Sequence, residues 1–243
     1  MSGLIAIRPH HVFAAFETQD MRQRACTILV PHPSCSAGGI LTLESLLLVA
    51  LVKISDADRL FEFGTYMGAS TVLLAENSKD TAKVFTLDLP ADTSGAPQAA
   101  VNSGYQGASH PTEDRFLAAK ATAHGPVVAD GFYQQSPSEK ITFLRADSKS
   151  ADLGAYKHSI DMVWVDGGHD DATVRSDTEN AFRMINPANK NAVIVWHDFD
   201  NPGHEDVGKF LRQLAQDRTV YAIGSTFLAF CFPNTDVKRF GLG

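Results

Sequence analysis

Beyond Arg59 the chain alternates short apolar runs with amphipathic stretches, and the two periodicities predict strands and helices in turn. Leu60–Phe63, Lys83–Leu87, Ile141–Leu144, Met162–Val165 and Ala192–Trp196 are β-branched or aromatic and stop at Gly, Asp or Pro, as strands do. Helical spacing predicts helices at Leu41–Ile54, from Thr71 to Glu76, at Ala172–Ile185 and near Asp206–Ala215. Two last strands, Val220–Ile223 and Phe227–Phe232, flank Gly224-Ser225 and read as an antiparallel hairpin. Alternating strands and helices of this kind predict an α/β, Rossmann-like fold: a seven-stranded, mostly parallel sheet with helices on both faces and a terminal antiparallel strand pair.

Two segments break the rhythm. Residues 1–40 are mixed, with His10-His11 and the turn-rich Pro31-His32-Pro33-Ser34, and read as an N-terminal arm or short helix ahead of a domain spanning 41–243. Residues 91–139 are rich in Ala, Gly, Ser, Pro and Gln. A structureless loop of that length is uncommon in a compact domain, so a helix near Thr112–Ala121 and a lid over a ligand are expected. Tyr105, His110, Arg115, Phe132 and Tyr133 in that lid are candidates to shape an acceptor pocket.

Composition narrows the function classes. With 243 residues and 44% hydrophobic content the chain can bury a core without disulfides or structural metal. Its net charge of −7 argues against an extended nucleic-acid or anionic-membrane surface. Cys26, Cys35 and Cys231 are odd in number and lack Cys-x-x-Cys spacing, as thiols of a reducing compartment do. The longest apolar run, Leu46–Val52, is far short of the ~20 residues that span a bilayer. A cytoplasmic enzyme is expected, and the arm and apolar helix suit a homo-oligomer.

In a parallel sheet the ligand sits at the carboxyl ends of the strands, so the residues following each strand carry the interest. After the first strand comes Glu62-Phe63-Gly64-Thr65-Tyr66-Met67-Gly68-Ala69-Ser70-Thr71. Glycines four apart at a strand-to-helix turn let the backbone approach a ligand, and the helix N-terminus offers N–H groups to a carboxylate. A tight packing turn would use the same glycines. Glu62 can organise this loop or reach a ligand's ammonium. Asp88 ends the second strand, where an acid accepts hydrogen bonds from ribose hydroxyls. A dinucleotide site would carry Gly where Tyr66 stands, which disfavours an NAD(P) oxidoreductase. Further on, Val165-Asp166-Gly167-Gly168-His169-Asp170 and Val195-Trp196-His197-Asp198 end the fourth and fifth strands with acids and imidazoles. Facing one crevice, these groups can coordinate a divalent ion. Acids at strand ends can equally cap the helices that follow, and each histidine can be satisfied by a backbone carbonyl.

The run Glu-Phe-Gly-Thr-Tyr-Met-Gly-Ala-Ser-Thr resembles the first motif of class I S-adenosylmethionine-dependent methyltransferases, above all the catechol O-methyltransferase-like branch. Over residues 40–232, through Asp-Gly-Gly-His, Val174–Ala181, Trp196-His197-Asp198-Phe199 and Ile223–Ala229, the chain also resembles bacterial macrocin- and cephalosporin-cluster-type methyltransferases. The resemblance implies that Glu62, Gly64, Thr65, Tyr66, Gly68 and Ser70 line the methionine part of S-adenosylmethionine and that Asp88 holds its ribose. It implies an adenine-contacting turn at Asp147 and Ser148, and a Mg²⁺ site at Asp166, His197 and Asp198. His197 stands where an acid is commoner, which opens the site to Mn²⁺, Fe²⁺ or Zn²⁺. His169 falls where catechol-type enzymes carry a lysine base, so His169 and Asp166 are the implied catalytic pair. Arg175, Asp177 and Glu179 read as a solvated or interface face of their helix. The implied activity is methyl transfer to a small-molecule hydroxyl, of a sugar or another secondary metabolite. N-methyl transfer, or a catalytically silent cofactor-binding protein, would use the same scaffold.

Overall fold

The computed structural model describes residues 2–16, 28, 39–66, 68–89 and 138–235. The strands fall where apolar residues alternate between two faces. In β2 (Arg59–Phe63), Leu60 turns to one face while Phe61 and Phe63 turn to the other. In β5 (Met162–Val165), Met162 and Trp164 oppose Val163 and Val165; in β6 (Val193–Trp196), Val193 and Val195 oppose Ile194 and Trp196. All of these side chains are buried, as expected of a parallel sheet covered on both sides.

Eight strands form a single sheet in the order β1-β7-β8-β6-β5-β2-β3-β4, completed by β1 (Gly3–Ile7), β3 (Lys83–Asp88), β4 (Ile141–Arg145), β7 (Thr219–Ile223) and β8 (Ala229–Cys231). All neighbours pair in parallel except β8, which runs antiparallel between β6 and β7. The expected terminal antiparallel pair is therefore present, with β8 inserted beside β6. The eighth strand is β1, a short apolar run inside the segment read as an arm: Gly3–Ile7 pairs with Thr219–Ile223, residue for residue, at the sheet edge.

Helices α1 (Pro9–Phe16), α2 (Thr42–Ser55) and α3 (Ala69–Asn77) cover one face. Helices α4 (Asp171–Met184) and α5 (Glu205–Leu214) cover the other. Leu47–Val52 of α2 is buried all round, which accounts for its lack of a polar stripe. At the sheet's amino-terminal edge, buried Asp161 accepts bonds from the backbone N–H groups of Asp58 and Arg59 and from Asn186 and Asn189, tying the starts of β2, β5 and β6 together. Among the described residues no helix is long and apolar enough to cross a membrane. Cys231 lies buried with its thiol pushed up to about 12 by burial, while Cys26 and Cys35 fall outside the described residues. So does almost all of the expected lid and its helix.

The chain runs from β2 outward through β3 to β4, then returns to lay β5 and β6 on the other side of β2. This reversal places a crevice at the carboxyl ends of β2 and β5, where open α/β sheets bind ligands.

Candidate active site

The loop after β2 is held by its neighbours more than by itself. Gly64 donates its N–H to Leu87 of β3, and Asp166 donates its N–H to Phe63. Gly64 has φ +92°, and a Cβ there would lie 1.9 Å from the carbonyl oxygen of Asp166. Only glycine fits so close an approach. Tyr66 also takes a positive φ, of 46°, and its N–H donates to Asp88 Oδ2 at 2.8 Å. Asp88 Oδ1 accepts from Leu89 N at 2.8 Å. Burial lifts the Asp88 carboxyl above its usual range, opposed by these N–H donors and by Arg145. Gly68, with φ +79°, sits at the N-cap of α3.

Glu62 points away from the crevice into the layer between β2 and α3 and is fully buried. Ser70 Oγ donates to Oε1 at 2.6 Å, Thr86 Oγ1 donates to Oε2 at 2.6 Å, and Thr71 Oγ1 also donates to Oε2. Thr65 Oγ1 reaches Thr86 Oγ1 at 2.6 Å and extends the chain of hydroxyls. Glu62 therefore clamps the start of α3 and the neighbouring strand β3, which fixes the loop between them. Burial pushes its carboxyl up to about 7.

That shift has a measurable sign. A folded-state value of about 7 against 4.5 means the folded chain holds a proton the unfolded chain has released between those values. Stability from this group is then present near pH 4.5 and is lost as pH rises through about 7, by about 3 kcal/mol in all. Glu62→Gln removes the titration. The wild-type denaturation midpoint should fall relative to that of Glu62→Gln between pH 5 and 8; a constant difference would rule the shift out.

At the turn after β4, Asp147 Oδ1 accepts from Lys149 N at 2.9 Å, a local turn and not a helix cap. Ser148 bonds the side chain of Asp177, and its carbonyl accepts from Asn180. The sequence predicts Asp177 on a solvated or interface face with Arg175 and Glu179. Those two are exposed, but Asp177 is buried, with its carboxyl raised to about 7 by burial. It lies under the next loop: a Cβ on Gly167 would meet Asp177 Oδ2 at 2.8 Å.

The ends of β5 and β6 converge as their sequences suggested. His197 Nδ1 lies 3.1 Å from Asp166 Oδ1 and 3.2 Å from Asp198 Oδ2, and His169 Nε2 lies 3.0 Å from the same Asp198 oxygen. Neither Asp166 nor Asp198 caps a helix: Asp170 caps α4 through Thr173 N, and His204 occupies the N-cap position of α5. Asn201 Nδ2 holds Asp198 Oδ1 at 2.6 Å, leaving Oδ2 for the imidazoles, and Asp198 itself has φ +59°.

Two members of this cluster escape the sequence pattern. Glu44, from α2, is fully buried; its Oε2 lies 3.2 Å from His197 Nε2 and also accepts from Leu41 N, while Oε1 accepts from Phe227 N. His204 stacks on His169 with ring centroids 3.6 Å apart. Burial pushes the His197 pKa down, but Asp166 and Asp198 outweigh it and hold the imidazole well above its ordinary value. Asp198 is likewise held well below the usual carboxylate range, since His197 and His169 outweigh its burial. Glu44 is lowered too, the His197 bond prevailing over burial.

These residues fit a divalent cation. Donor atoms of Asp166, His197 and Asp198 all lie within 4.8 Å of one another. Glu44 accepts at Nε2 and so aims Nδ1 into the cluster, the carboxylate–histidine arrangement common behind metal-bound imidazoles. A cation at Nδ1 would displace the proton there and leave the Glu44 bond intact.

Comparison with known proteins agrees with this architecture. A family model described as a methyltransferase domain matches residues 61–199, more than half of the chain. No curated protein matches. Among solved structures, an S-adenosylhomocysteine-bound methyltransferase of Podospora anserina, PaMTH1, is 13% identical over 90% of this chain and 86% of its own, with a TM-score of 0.53. A cofactor-bound protein, Rv0187 from MTB, is 16% identical over 93% and 89%, with a TM-score of 0.50. A provisionally named caffeoyl-CoA O-methyltransferase from Staphylococcus aureus is 13% identical over 77% and 81%, with a TM-score of 0.51. At such identities the likeness is one of fold, and the family model carries the assignment: this chain belongs to the methyltransferase-domain family, on the fold of class I S-adenosylmethionine-dependent methyltransferases.

Proposed function

We propose that this protein transfers the methyl group of S-adenosylmethionine to a hydroxyl of a small molecule, a sugar or another secondary metabolite, with help from a divalent ion. The observation that carries the reading is the meeting of Asp166, His169, His197 and Asp198 at the carboxyl ends of β5 and β6, beside the Gly64 loop. A cofactor alone needs no such cluster; an acceptor that must be oriented and deprotonated does.

In this reading the Gly64–Ser70 loop and the α3 N-terminus receive the methionine part of the cofactor, and Asp88 receives the ribose. Asp147 and Ser148 flank the adenine. Methyl transfer needs the acceptor oxygen in line with the sulfonium methyl, and orientation supplies much of the acceleration. A divalent ion held by Asp166, His197 and Asp198 would lower the acceptor's hydroxyl pKa and fix its position. The nitrogen donor makes Mn²⁺, Fe²⁺ or Zn²⁺ as suitable as Mg²⁺. His169 and Asp166 border the same space and are the groups placed to take the acceptor's proton.

The test is calorimetric titration with S-adenosylmethionine and S-adenosylhomocysteine, with and without Mg²⁺ or Mn²⁺. Micromolar binding is expected, weakened at least about 10-fold by Asp88→Ala, which removes two of the ribose's acceptor atoms. Absence of binding to both compounds would reject the reading, and binding indifferent to Asp88→Ala would reject the ribose assignment.

A further inference from the structure

We infer that the crevice holds a second divalent-cation site, formed by His169, His204 and Asp198, which takes an ion of the Zn²⁺ or Co²⁺ type. It lies beside the Asp166–His197–Asp198 cluster and shares only Asp198 with it. Donor atoms of the three residues lie within 4.8 Å of one another, and the set is two imidazoles and one carboxylate. That combination suits Zn²⁺, Co²⁺ and Fe²⁺, whereas Mg²⁺ prefers an all-oxygen octahedron.

Two features indicate a built arrangement, and a third states what binding requires. The imidazoles of His169 and His204 are stacked, 3.6 Å between centroids and 20° between planes, so their in-plane lone pairs run side by side and one ring must turn before both meet a single ion. Asp198 has one oxygen held by Asn201, and its other oxygen is 3.0 Å from His169 Nε2. Finally, His204 stands at the N-cap of α5, a position where Ser, Thr, Asp or Asn would stabilise the helix, and its side chain makes no capping bond. The imidazole is buried instead against His169. Helix α5 thus gives up a cap and gains a ligand at the crevice.

Asp198 Oδ2 is within 3.2 Å of ring nitrogens on both sides, His169 Nε2 and His197 Nδ1, so one carboxylate can serve two ions. Paired ions in such sites stand about 3.5–4 Å apart. The inference goes beyond the proposed reaction and competes with one part of it. An ion on His169 occupies the lone pair that would take a proton, so His169 cannot be ligand and base at once.

Co²⁺ titration of the metal-stripped protein, followed by calorimetry and by visible absorption, separates these possibilities. The wild type should bind about two equivalents, as a paired site would. His204→Gln and His169→Gln should each lose one equivalent and its absorption band, while Asp166→Asn should lose the other. If the wild type binds one equivalent, its loss in His204→Gln with retention in Asp166→Asn supports the new site and rejects the Asp166 cluster instead. Unchanged stoichiometry and affinity in both histidine variants would overturn the inference, as would a single ion lost only with Asp166.

Discussion

Gly64→Ala is expected to destabilise the fold by about 4 kcal/mol and to weaken cofactor binding at least about 10-fold at temperatures where the variant is still folded. Two costs add. At φ +92° an alanine is strained whatever space it has, and here there is none: its Cβ would stand 1.9 Å from the Asp166 carbonyl oxygen and 2.9 Å from Gly167 Cα. Those atoms are backbone and cannot rotate aside. Relief requires β2 and β5 to separate at their carboxyl ends, which stretches the bond from Asp166 N to Phe63 O and shifts the loop that receives the cofactor in the proposed reading. For a chain of this size the melting temperature should fall by about 10 °C. Gly224→Ala is the control, because its Cβ would meet Ile7 O at an ordinary 3.4 Å. Equal melting temperatures for the two variants would show that the close approach at the switch point carries no weight.

What the sequence discloses about this fold follows from where its information is local. Short continuous apolar runs identify β2, β5 and β6 because each strand buries both faces against helices, and no distant partner is needed to read that. Strand ends disclose Asp166, His169, His197 and Asp198 for the same reason: in a parallel sheet the residue after a strand faces the ligand side wherever the strand sits. β1 goes unread because Gly3–Ile7, although apolar throughout, is a five-residue run at the head of a mixed segment, and its place at the sheet edge is fixed by pairing with Thr219–Ile223, more than two hundred positions away. Asp177 is misread because helical spacing reports which residues share a face and not which face is covered; the turn bearing Ser148 folds over it. Glu62 carries both meanings in the sequence, loop organiser or ammonium partner, and only the positions of Thr71 and Thr86 show it surrounded by hydroxyls. His204 and Glu44 carry no spacing signal at all. Each reaches the cluster from its own helix, and their meeting with the strand-end residues is a product of packing.

Glu44→Ala should therefore be as damaging as a substitution among the strand-end residues, although nothing in its local sequence announces it. One carboxylate satisfies three groups from three parts of the chain: Leu41 N at the start of its own helix, Phe227 N in the loop before β8, and His197 Nε2 after β6. Truncation leaves a buried imidazole facing a void at Nε2 and two N–H groups without that acceptor. Removing one partner of a buried ion pair costs about 3–5 kcal/mol, so the melting temperature should fall by about 10 °C. Glu44→Gln offers one oxygen where the wild type uses two, on opposite sides, so it should recover part of the loss and not all of it. A purely structural role would stop there. Because Glu44 also sets the direction of His197 Nδ1, Mn²⁺ affinity in Glu44→Gln should drop about 10–100-fold, the range found when the partner behind a metal-bound imidazole is removed. Measured by electron paramagnetic resonance on protein well below its melting temperature, that drop separates the two roles. An affinity equal to the wild type's in a folded Glu44→Gln would reduce Glu44 to a packing residue and leave His197 aligned by its strand alone.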